Sequence, residues 1–250
     1  MKVFIDSSLS FSEDYIKQHD LGVIPIQIKV GTLGLVGNFD AQDFYNAIIT
    51  GIDISFNDVD TDYITNLVKL FSEKEEVIYI GSSSITDYHF KEIEKCLKDI
   101  PNVHVLDCMG TESTLALIVD EIIKLKDWVE IENWFVWNRP LVVSKTTQKL
   151  KSGYSVNEVS TLSSLLNWVE KPIFITDNRT DILRYLLSII KNRNKVIISY
   201  TGCPDEIIEF EKGIKDQSPN TEILIIPTSP ITANYIGLNN ITISFFDKQI

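Results

Sequence analysis

Residues 77–106 read VIYIGSSSITDYHFKEIEKCLKDIPNVHVL, and this stretch predicts the architecture of the chain. It begins and ends with short β-branched runs, VIYI at 77–80 and VHVL at 103–106, that are apolar on both faces. Strands of that kind are covered by helices on both sides. The segment between them has helical spacing of its apolar residues and follows Thr86 and Asp87, either of which can cap a helix. The stretch therefore predicts a β-α-β unit with parallel strands.

The same alternation extends over the rest of the chain. Further apolar runs are VFI at 3–5, VIPIQIKV at 23–30, PIFIT at 172–176, KVIISY at 195–200, EILII at 222–226 and ITISFF at 241–246. Helical patterns lie between most of them. The pattern LALIVDEIIKLK at 115–126 is so apolar in its first half that we expect a buried helix. The sequence thus predicts an α/β fold with a mostly parallel sheet.

The composition is that of an ordinary folded protein with an acidic surface. The 250 residues include 23 Lys and Arg against 35 Asp and Glu, which gives a net charge of −12. Such a surface repels nucleic acid and anionic membranes, and the lysines are scattered among glutamates. No run approaches the ~18 consecutive apolar residues that a membrane span needs. We therefore expect a cytoplasmic protein with no nucleic-acid partner and no integral membrane association.

Cysteine and histidine residues give no sign of a disulfide framework or a metal site. Cys96, Cys108 and Cys203 are far apart and form no Cys-x-x-Cys pair. The histidines are His19, His89 and His104. None of them has a second metal ligand at helical spacing, so we expect surface or structural roles for them and no metal cofactor.

Small hydroxyl residues follow several of the predicted strands. They are Ser7 and Ser8, Ser82 to Ser84, Thr201, and Thr228 with Ser229. Ligands of open α/β sheets bind beyond the carboxyl ends of the strands, so these hydroxyls are candidates to line a site for an oxyanion. A single serine in such a turn is explained by helix capping. Three in succession exceed what one cap requires.

Several familiar catalytic and nucleotide-binding motifs are missing. No GxGxxG follows a strand, and the sequence contains neither a GxxxxGK[ST] phosphate loop nor a GxSxG elbow. These absences disfavour dinucleotide binding, nucleotide hydrolysis and serine-hydrolase chemistry.

Taken together, the chain resembles the DegV family of bacterial fatty-acid-binding proteins. The opening VFIDSSLSFSEDYIKQHDLGVIPIQI is similar to the family's start, and YIGSSSITDY at 79–88 is similar to its serine loop. The segment at 150–174 resembles the family's Leu-Lys-x-Gly-Gly-Arg-Ile helix entry and the strand that follows it. SPITANYIG at 229–237 stands where the family has Gly-Pro-Val-Ile-Gly-Thr-His-x-Gly. Each fragment is weak alone, but their common order is specific.

The resemblance implies two α/β domains, an N-terminal one at 1–150 and a smaller one with a mixed sheet at 151–250. A long-chain fatty acid would lie in an apolar tunnel between them, with its carboxylate held by Ser, Thr and Tyr hydroxyls and with no other cofactor. About 15 buried methylenes contribute roughly 12 kcal/mol before association costs, so the tail would supply the affinity. In kinase-coupled members a separate fatty acid kinase phosphorylates the bound acid. The resemblance therefore implies a carrier subunit and not an enzyme.

Matching positions give the candidate head-group residues. They are Ser55, Ser82, Ser83, Ser84, Gly153, Tyr154 and Tyr235. Tyr235 stands where the family has a histidine, and Tyr154 stands where it has an arginine. A tyrosine hydroxyl can still donate a hydrogen bond. We therefore expect a divergent member of the family.

Two functions of other classes fit the same residues. One is an α/β enzyme that acts on a small carboxylated or phosphorylated metabolite in the same crevice. The other is an interaction protein without a ligand. The lack of a general base near the serine run disfavours the enzyme.

Overall fold

The computed structural model describes residues 1–7, 11–36, 41–52, 54–56, 58–84, 88–146, 171–202 and 205–247. The strands in these residues are β1 (Lys2–Asp6), β2 (Gly22–Ile24), β3 (Gln27–Val30), β4 (Leu33–Val36), β5 (Ile54–Phe56), β6 (Val77–Gly81), β7 (Val103–Asp107), β8 (Leu141–Lys145), β9 (Phe174–Thr176), β10 (Lys195–Tyr200), β11 (Glu222–Pro227) and β12 (Ile241–Phe245). The helices are α1 (Glu13–Gln18), α2 (Ala41–Thr50), α3 (Thr61–Ser72), α4 (Tyr88–Leu97), α5 (Glu112–Ile122), α6 (Trp128–Trp137), α7 (Arg179–Ile189), α8 (Asp205–Gln217) and α9 (Pro230–Ile236).

A four-stranded parallel sheet forms the first lobe, with the strand order β2-β1-β6-β7. Strand β6 has a neighbour on each side and is buried along its whole length. Its partner β7 follows through α4, so the predicted β-α-β unit is confirmed. On one face of this sheet α3 and α4 cover an apolar core that includes Ile64, Val68, Ile93 and Leu97.

A five-stranded mixed sheet forms the second lobe, with the strand order β11-β10-β12-β8-β9. Strand β12 is antiparallel to both of its neighbours, whereas β10 and β11 run parallel, as do β8 and β9. The expected parallel N-terminal sheet and mixed C-terminal sheet are thus confirmed. The predicted domain boundary at residue 150 lies outside the described residues. That boundary stays a prediction, and strand β8, which precedes it, pairs with β12 in this sheet.

A small antiparallel sheet, β4-β3-β5, accompanies the first lobe. Residues 23–30 are predicted as one strand, but they divide at Pro25 and Ile26 into β2 and β3, which belong to different sheets. Proline has no N–H to donate to a ladder. The N–H of Ile26 donates instead to the hydroxyl of Ser7 at 2.8 Å. The prediction of a single strand is therefore wrong.

Helix α5 lies between the two sheets. One apolar cluster joins its residues to Ile5 and Ile78 of the first sheet and to Ile197 and Ile226 of the second. The expectation of a buried helix here is confirmed. Helices α7 and α8 cover the far face of the second sheet. The resulting layers are helix, sheet, helix, sheet and helix, and the α5 layer is shared by both lobes.

Substituting Gly81 at the end of β6 with alanine is expected to destabilise the protein by about 1 to 3 kcal/mol, because the new methyl group overpacks the core. An added Cβ would lie 2.1 Å from Cδ2 of the buried Phe90 ring, which is stacked on Tyr79. Urea unfolding measures the change. Gly34→Ala is the control, since its Cβ meets nothing within 4 Å and should change stability by less than about 0.5 kcal/mol. Equal effects at the two positions would contradict the steric argument.

Candidate functional site

The serine loop after β6 lies at the carboxyl edge of the first sheet. Ser82 and Ser83 are buried, and Ser84 is half-buried. The carbonyl of Ser82 accepts hydrogen bonds from the backbone N–H of Gly110 at 2.8 Å and from the thiol of Cys108 at 2.9 Å. Because β6 and β7 are parallel neighbours, their turns leave the sheet at the same edge. The serine loop therefore contacts the segment that leads into α5.

Asp107, the last residue of β7, connects these two turns. Its carboxylate accepts hydrogen bonds from the backbone N–H groups of Ser84 at 3.2 Å and Met109 at 2.9 Å. Hydrogen bonds to an ionised acceptor are stronger than neutral ones. Asp107 thus fixes the serine loop relative to the start of α5.

The first turn of α5 carries buried polar side chains into the space between the lobes. Glu112, Ser113 and Thr114 are all buried there. The hydroxyls of Ser113 and Thr114 form hydrogen bonds with that of Ser244 in β12, at 2.9 and 3.1 Å. A polar contact therefore joins α5 to the five-stranded sheet within an otherwise apolar interface.

The face of the five-stranded sheet that contacts α5 carries a row of hydroxyls. Ser144, Thr242 and Ser199 are register partners across β8, β12 and β10. Side chains alternate along a strand and register partners share a face, so this row lies on the same side as Ser244. Thr146 follows two residues after Ser144. We name as the hydroxyl layer the set Ser113, Thr114, Ser144, Thr146, Ser199, Thr242 and Ser244.

Three side chains of the hydroxyl layer have no hydrogen-bond partner within the described ranges. Ser144, Thr146 and Ser199 are buried, and their hydroxyls find no partner among the described residues. Buried polar groups are nearly always paired, because an unpaired one costs about 1 to 3 kcal/mol. Three unpaired hydroxyls on one face therefore indicate a surface suited to a polar group of a ligand.

Glu112 is a buried carboxyl group beside this layer. It is 1 % exposed, and one of its oxygens accepts a hydrogen bond from the Thr232 hydroxyl at 2.8 Å. The other oxygen, Oε2, is buried without a partner in the part of the chain that the structure describes. Burial raises the pKa of the Glu112 carboxyl, against the opposing effect of hydrogen bonds from Ser229 and Thr232. The surroundings therefore favour a neutral acid.

Tyr45 connects α2 of the first lobe to the strand ends of the second. Its hydroxyl donates to the carbonyls of Tyr200 at 2.9 Å and Thr228 at 2.8 Å. Burial raises the pKa of the Tyr45 phenol, so the group stays protonated and remains a donor. Tyr45 thereby fixes the ends of β10 and β11, next to Glu112 and α9.

A cavity of about 240 Å³ opens beside Thr114. It is lined by Cys108, Met109, Thr114, Arg139, Pro140, Val142 and Lys171. The Arg139 guanidinium donates to the carbonyl of Cys108 at 3.2 Å and lies 3.8 Å from the centre of the Phe135 ring. Because Thr114 belongs to the hydroxyl layer, the cavity brings two cations to its edge, those of Arg139 and Lys171.

The other residues proposed from the sequence have different positions. Ser55 is exposed on β5, where its register partner is Lys29 of the small antiparallel sheet. The backbone of Tyr235 belongs to α9, but its side chain lies outside the described residues. Gly153 and Tyr154 also lie outside them. The assignment of these four residues to a site stays a prediction.

Sequence reasoning missed Glu112 and most of the hydroxyl layer. A signal existed in β12, where Thr242 and Ser244 alternate with the isoleucines of an apolar strand. That alternation indicates a polar stripe on one face of a buried strand. For Glu112 we find no local signal, because its burial depends on helix α9, whose Thr232 is 120 residues away in sequence.

Among the described residues, no three His, Cys, Asp or Glu side chains lie together as metal ligands. No helix in the same ranges combines the length and apolarity needed to cross a bilayer.

Comparison with solved structures identifies proteins of the same fold. A stearic acid-binding protein from Eubacterium ventriosum superposes with a TM-score of 0.76 at 15% identity, covering 98% of this chain and 97% of the other. A fatty-acid-binding DegV family protein from Thermus thermophilus gives a TM-score of 0.73 at 12% identity, with 98% and 99% covered. At these identities the likeness establishes the fold.

Comparison of sequences gives the family. The DegV domain-containing protein YteA of Lactococcus lactis is 21% identical, over 99% of this chain and 98% of its own length. A family model described as "Uncharacterised protein, DegV family" matches residues 1–128, about half of the chain. The resemblance inferred from the sequence is therefore confirmed, and the chain belongs to the DegV family.

Proposed function

We propose that this protein binds a long-chain fatty acid between its two lobes. The observation that carries the proposal is the group of buried hydroxyls of Ser144, Thr146 and Ser199, which find no partner in the described part of the chain, on the sheet face that meets α5. Hydroxyls can donate to a carboxylate without adding a charge of their own. Proteins of the same fold include a stearic acid-binding protein from Eubacterium ventriosum and a DegV family protein from Eubacterium eligens loaded with heptadecanoic acid, which supports a ligand of this class.

The carboxylate is held near the start of α5, which follows the segment that contacts the serine loop and carries Ser113 and Thr114 of the hydroxyl layer. An unpaired charge buried there would be costly, so several donors must face it. We assign this role to Ser82, Ser83 and Ser84 together with the layer hydroxyls. The cations of Arg139 and Lys171 at the neighbouring cavity favour approach of an anion to this otherwise acidic protein.

The tail occupies an apolar tunnel between the lobes and supplies most of the affinity. Each buried methylene contributes about 0.8 kcal/mol. The polar end then decides orientation, as in most small-molecule sites.

The protein acts as a carrier and not as a catalyst, and a separate fatty acid kinase is the partner that the family resemblance suggests. None of the three histidines belongs to the hydroxyl layer: His19 caps α1, His89 is buried in α4, and His104 stacks on Trp128. The described part of the layer therefore contains no imidazole to serve as a general base.

Mass spectrometry of an organic extract of the purified protein tests the proposal. A stoichiometric acid of roughly C14 to C18 length, whose tail gains about 0.8 kcal/mol per methylene, is the expected result. An empty protein that also takes up no added fluorescent acyl probe would overturn it.

Ser199→Ala is expected to weaken fatty-acid binding about tenfold, which corresponds to ~1.4 kcal/mol. The variant loses a donor to the ligand, yet the unliganded protein should keep or gain stability, because an unpaired buried hydroxyl is removed. Binding is measured by equilibrium dialysis and stability by urea unfolding.

The matched control is Ser244→Ala on the same sheet face. Its hydroxyl is paired with Ser113 and Thr114, so its removal should lower stability by about 1 to 3 kcal/mol. If Ser199→Ala lost as much stability as Ser244→Ala and bound the acid normally, the hydroxyl of Ser199 would have a structural role only.

A further inference from the structure

Glu112 is the least expected group in the interlobe space, because a carboxyl group opposes the binding of another carboxylate. It is nearly fully buried, and hydroxyls surround it where a cation would be expected. None of the described Lys or Arg side chains forms an ion pair with it. Its oxygen Oε2 has no partner in the described chain, although the group lies within the first turn of α5, next to Ser113 and Thr114 of the hydroxyl layer.

The groups that face Glu112 come from two other elements. Helix α9 presents the hydroxyls of Ser229 and Thr232, which form a hydrogen-bonded chain toward Oε1 at 3.1 and 2.8 Å. Helix α2 contributes Tyr45, whose hydroxyl donates its proton to the carbonyls of Tyr200 and Thr228. Burial, and then the neighbouring Glu112 and Tyr200, raise the pKa of the Tyr45 phenol. The facing groups among the described residues are thus neutral, and Oε2 has no hydrogen-bond partner among them.

We propose that Glu112 selects the ligand by sharing one proton with it: the Oε2 hydroxyl of Glu112 donates to the carboxylate of the fatty acid. This inference rests on the proposed function, and it names Glu112 as a specificity-determining residue of the same site. Two ionised carboxylates in one buried space repel each other strongly where no cation of the described residues pairs with Glu112, so that one of the two keeps a proton. The pair then carries one negative charge, which the layer hydroxyls can solvate.

Burial already raises the pKa of Glu112 in the unliganded protein, which favours the protonated form that can donate to the ligand. Arrival of an anionic head group raises that pKa further, because it stabilises the protonated form of Glu112. Binding is therefore accompanied by proton uptake wherever Glu112 is ionised in the unliganded protein. By linkage, the affinity for the acid falls as the pH rises above the pKa of unliganded Glu112.

A fatty alcohol with the same tail provides the comparison. Its neutral hydroxyl can donate to an ionised Glu112 or accept from a neutral one, so its binding needs no added proton. We therefore compare the dissociation constant of the acid with that of the alcohol, as a ratio. The tail and any general change of the protein with pH affect both constants alike, so they cancel in this ratio. That ratio reports the shared proton.

Equilibrium dialysis of radiolabelled myristic acid and 1-tetradecanol measures the ratio of their dissociation constants. Both ligands are kept below the concentrations at which they self-associate. The measurements run from about pH 6 to pH 8, because a free carboxylic acid is ionised over that range. In the wild-type protein we expect the ratio to rise with pH, by up to about tenfold per pH unit, above the pKa of Glu112 in the unliganded protein. In Glu112→Gln the amide donates at every pH, and the ratio should stay constant. Glu121→Gln, which removes a carboxylate of the same helix that pairs with Lys124, should retain the wild-type slope.

The outcomes distinguish a failure of the inference about Glu112 from a failure of the proposed fatty-acid binding. A ratio that stays constant in the wild-type protein above the pH at which unliganded Glu112 ionises, or a slope that persists in Glu112→Gln, overturns the inference while leaving fatty-acid binding intact. Failure of both ligands to bind to all three proteins overturns the proposed function itself. Circular dichroism of each variant confirms that a loss of binding is not a loss of folding.

Discussion

Replacing Ile118 with alanine is expected to lower the free energy of unfolding by about 2 to 5 kcal/mol. Ile118 is 0 % exposed in α5, the helix that lies between the two sheets. Removal of its side chain leaves a cavity that neighbouring groups can fill only in part, since both sheets already pack against the helix. In a protein of this size the loss corresponds to a decrease in Tm of roughly 4 to 20 °C.

Thermal and urea unfolding, followed by tryptophan fluorescence and by far-UV circular dichroism, measure this effect. Because α5 belongs to the cores of both lobes, the two signals should shift together. Ile208→Ala on α8 is the matched control, with the same chemical change in a helix at a side chain that is 65 % exposed. The control should change stability by less than about 0.5 kcal/mol. Similar losses at both positions, or a shift in one signal alone, would contradict a core shared through α5.

The layered core could be predicted from the sequence because its signals are local. Runs such as VIYI at 77–80 are apolar at every position, which is what a strand covered on both faces requires. The twelve-residue pattern at 115–126 lacks a polar face in its first half, so burial of a helix follows from composition alone. The serine loop was found for the same reason, since its position after a strand is visible in the chain.

The contacts between the lobes could not be predicted, because each joins distant parts of the chain. Ser113 and Ser244 are 131 residues apart, and Tyr45 bonds to Thr228 across 183 residues. The position of a serine in a strand, or of a tyrosine in a helix, does not indicate which distant residue its hydroxyl will contact. The split at Pro25 shows a second limit, since an apolar run does not reveal that its halves join different sheets.

Replacing Glu112 with glutamine is expected to stabilise the unliganded protein at neutral and alkaline pH. Ionising the buried carboxyl group of Glu112 lowers the free energy of unfolding, and glutamine avoids that loss. Glutamine keeps an acceptor for the Thr232 hydroxyl and never ionises. Burial raises the pKa of the Glu112 carboxyl in the folded protein, so its contribution to stability is present at acid pH and is lost as the pH rises. The wild-type protein therefore loses stability over a range in which the variant does not.

The difference between the two proteins should grow from about pH 4.3, the ordinary pKa of a glutamate, at no more than about 1.4 kcal/mol per pH unit. It should level off once the pH passes the pKa of Glu112 in the folded state. Urea unfolding of both proteins at a series of pH values measures this curve. Glu94→Gln on the exposed side of α4 is the control, and it should shift stability by less than about 0.5 kcal/mol at every pH.

A difference that stayed constant with pH would mean that Glu112 titrates alike in the folded and unfolded chains, and its burial would then have no electrostatic consequence. A variant less stable than the wild-type protein at alkaline pH would mean that the fold favours the ionised carboxylate, through the hydrogen bonds that Ser229 and Thr232 donate to it. Either result would also remove the basis for a shared proton with the ligand, because Glu112 could then not hold a proton between the lobes. Stability of the unliganded protein thus tests the same electrostatic argument without any fatty acid present.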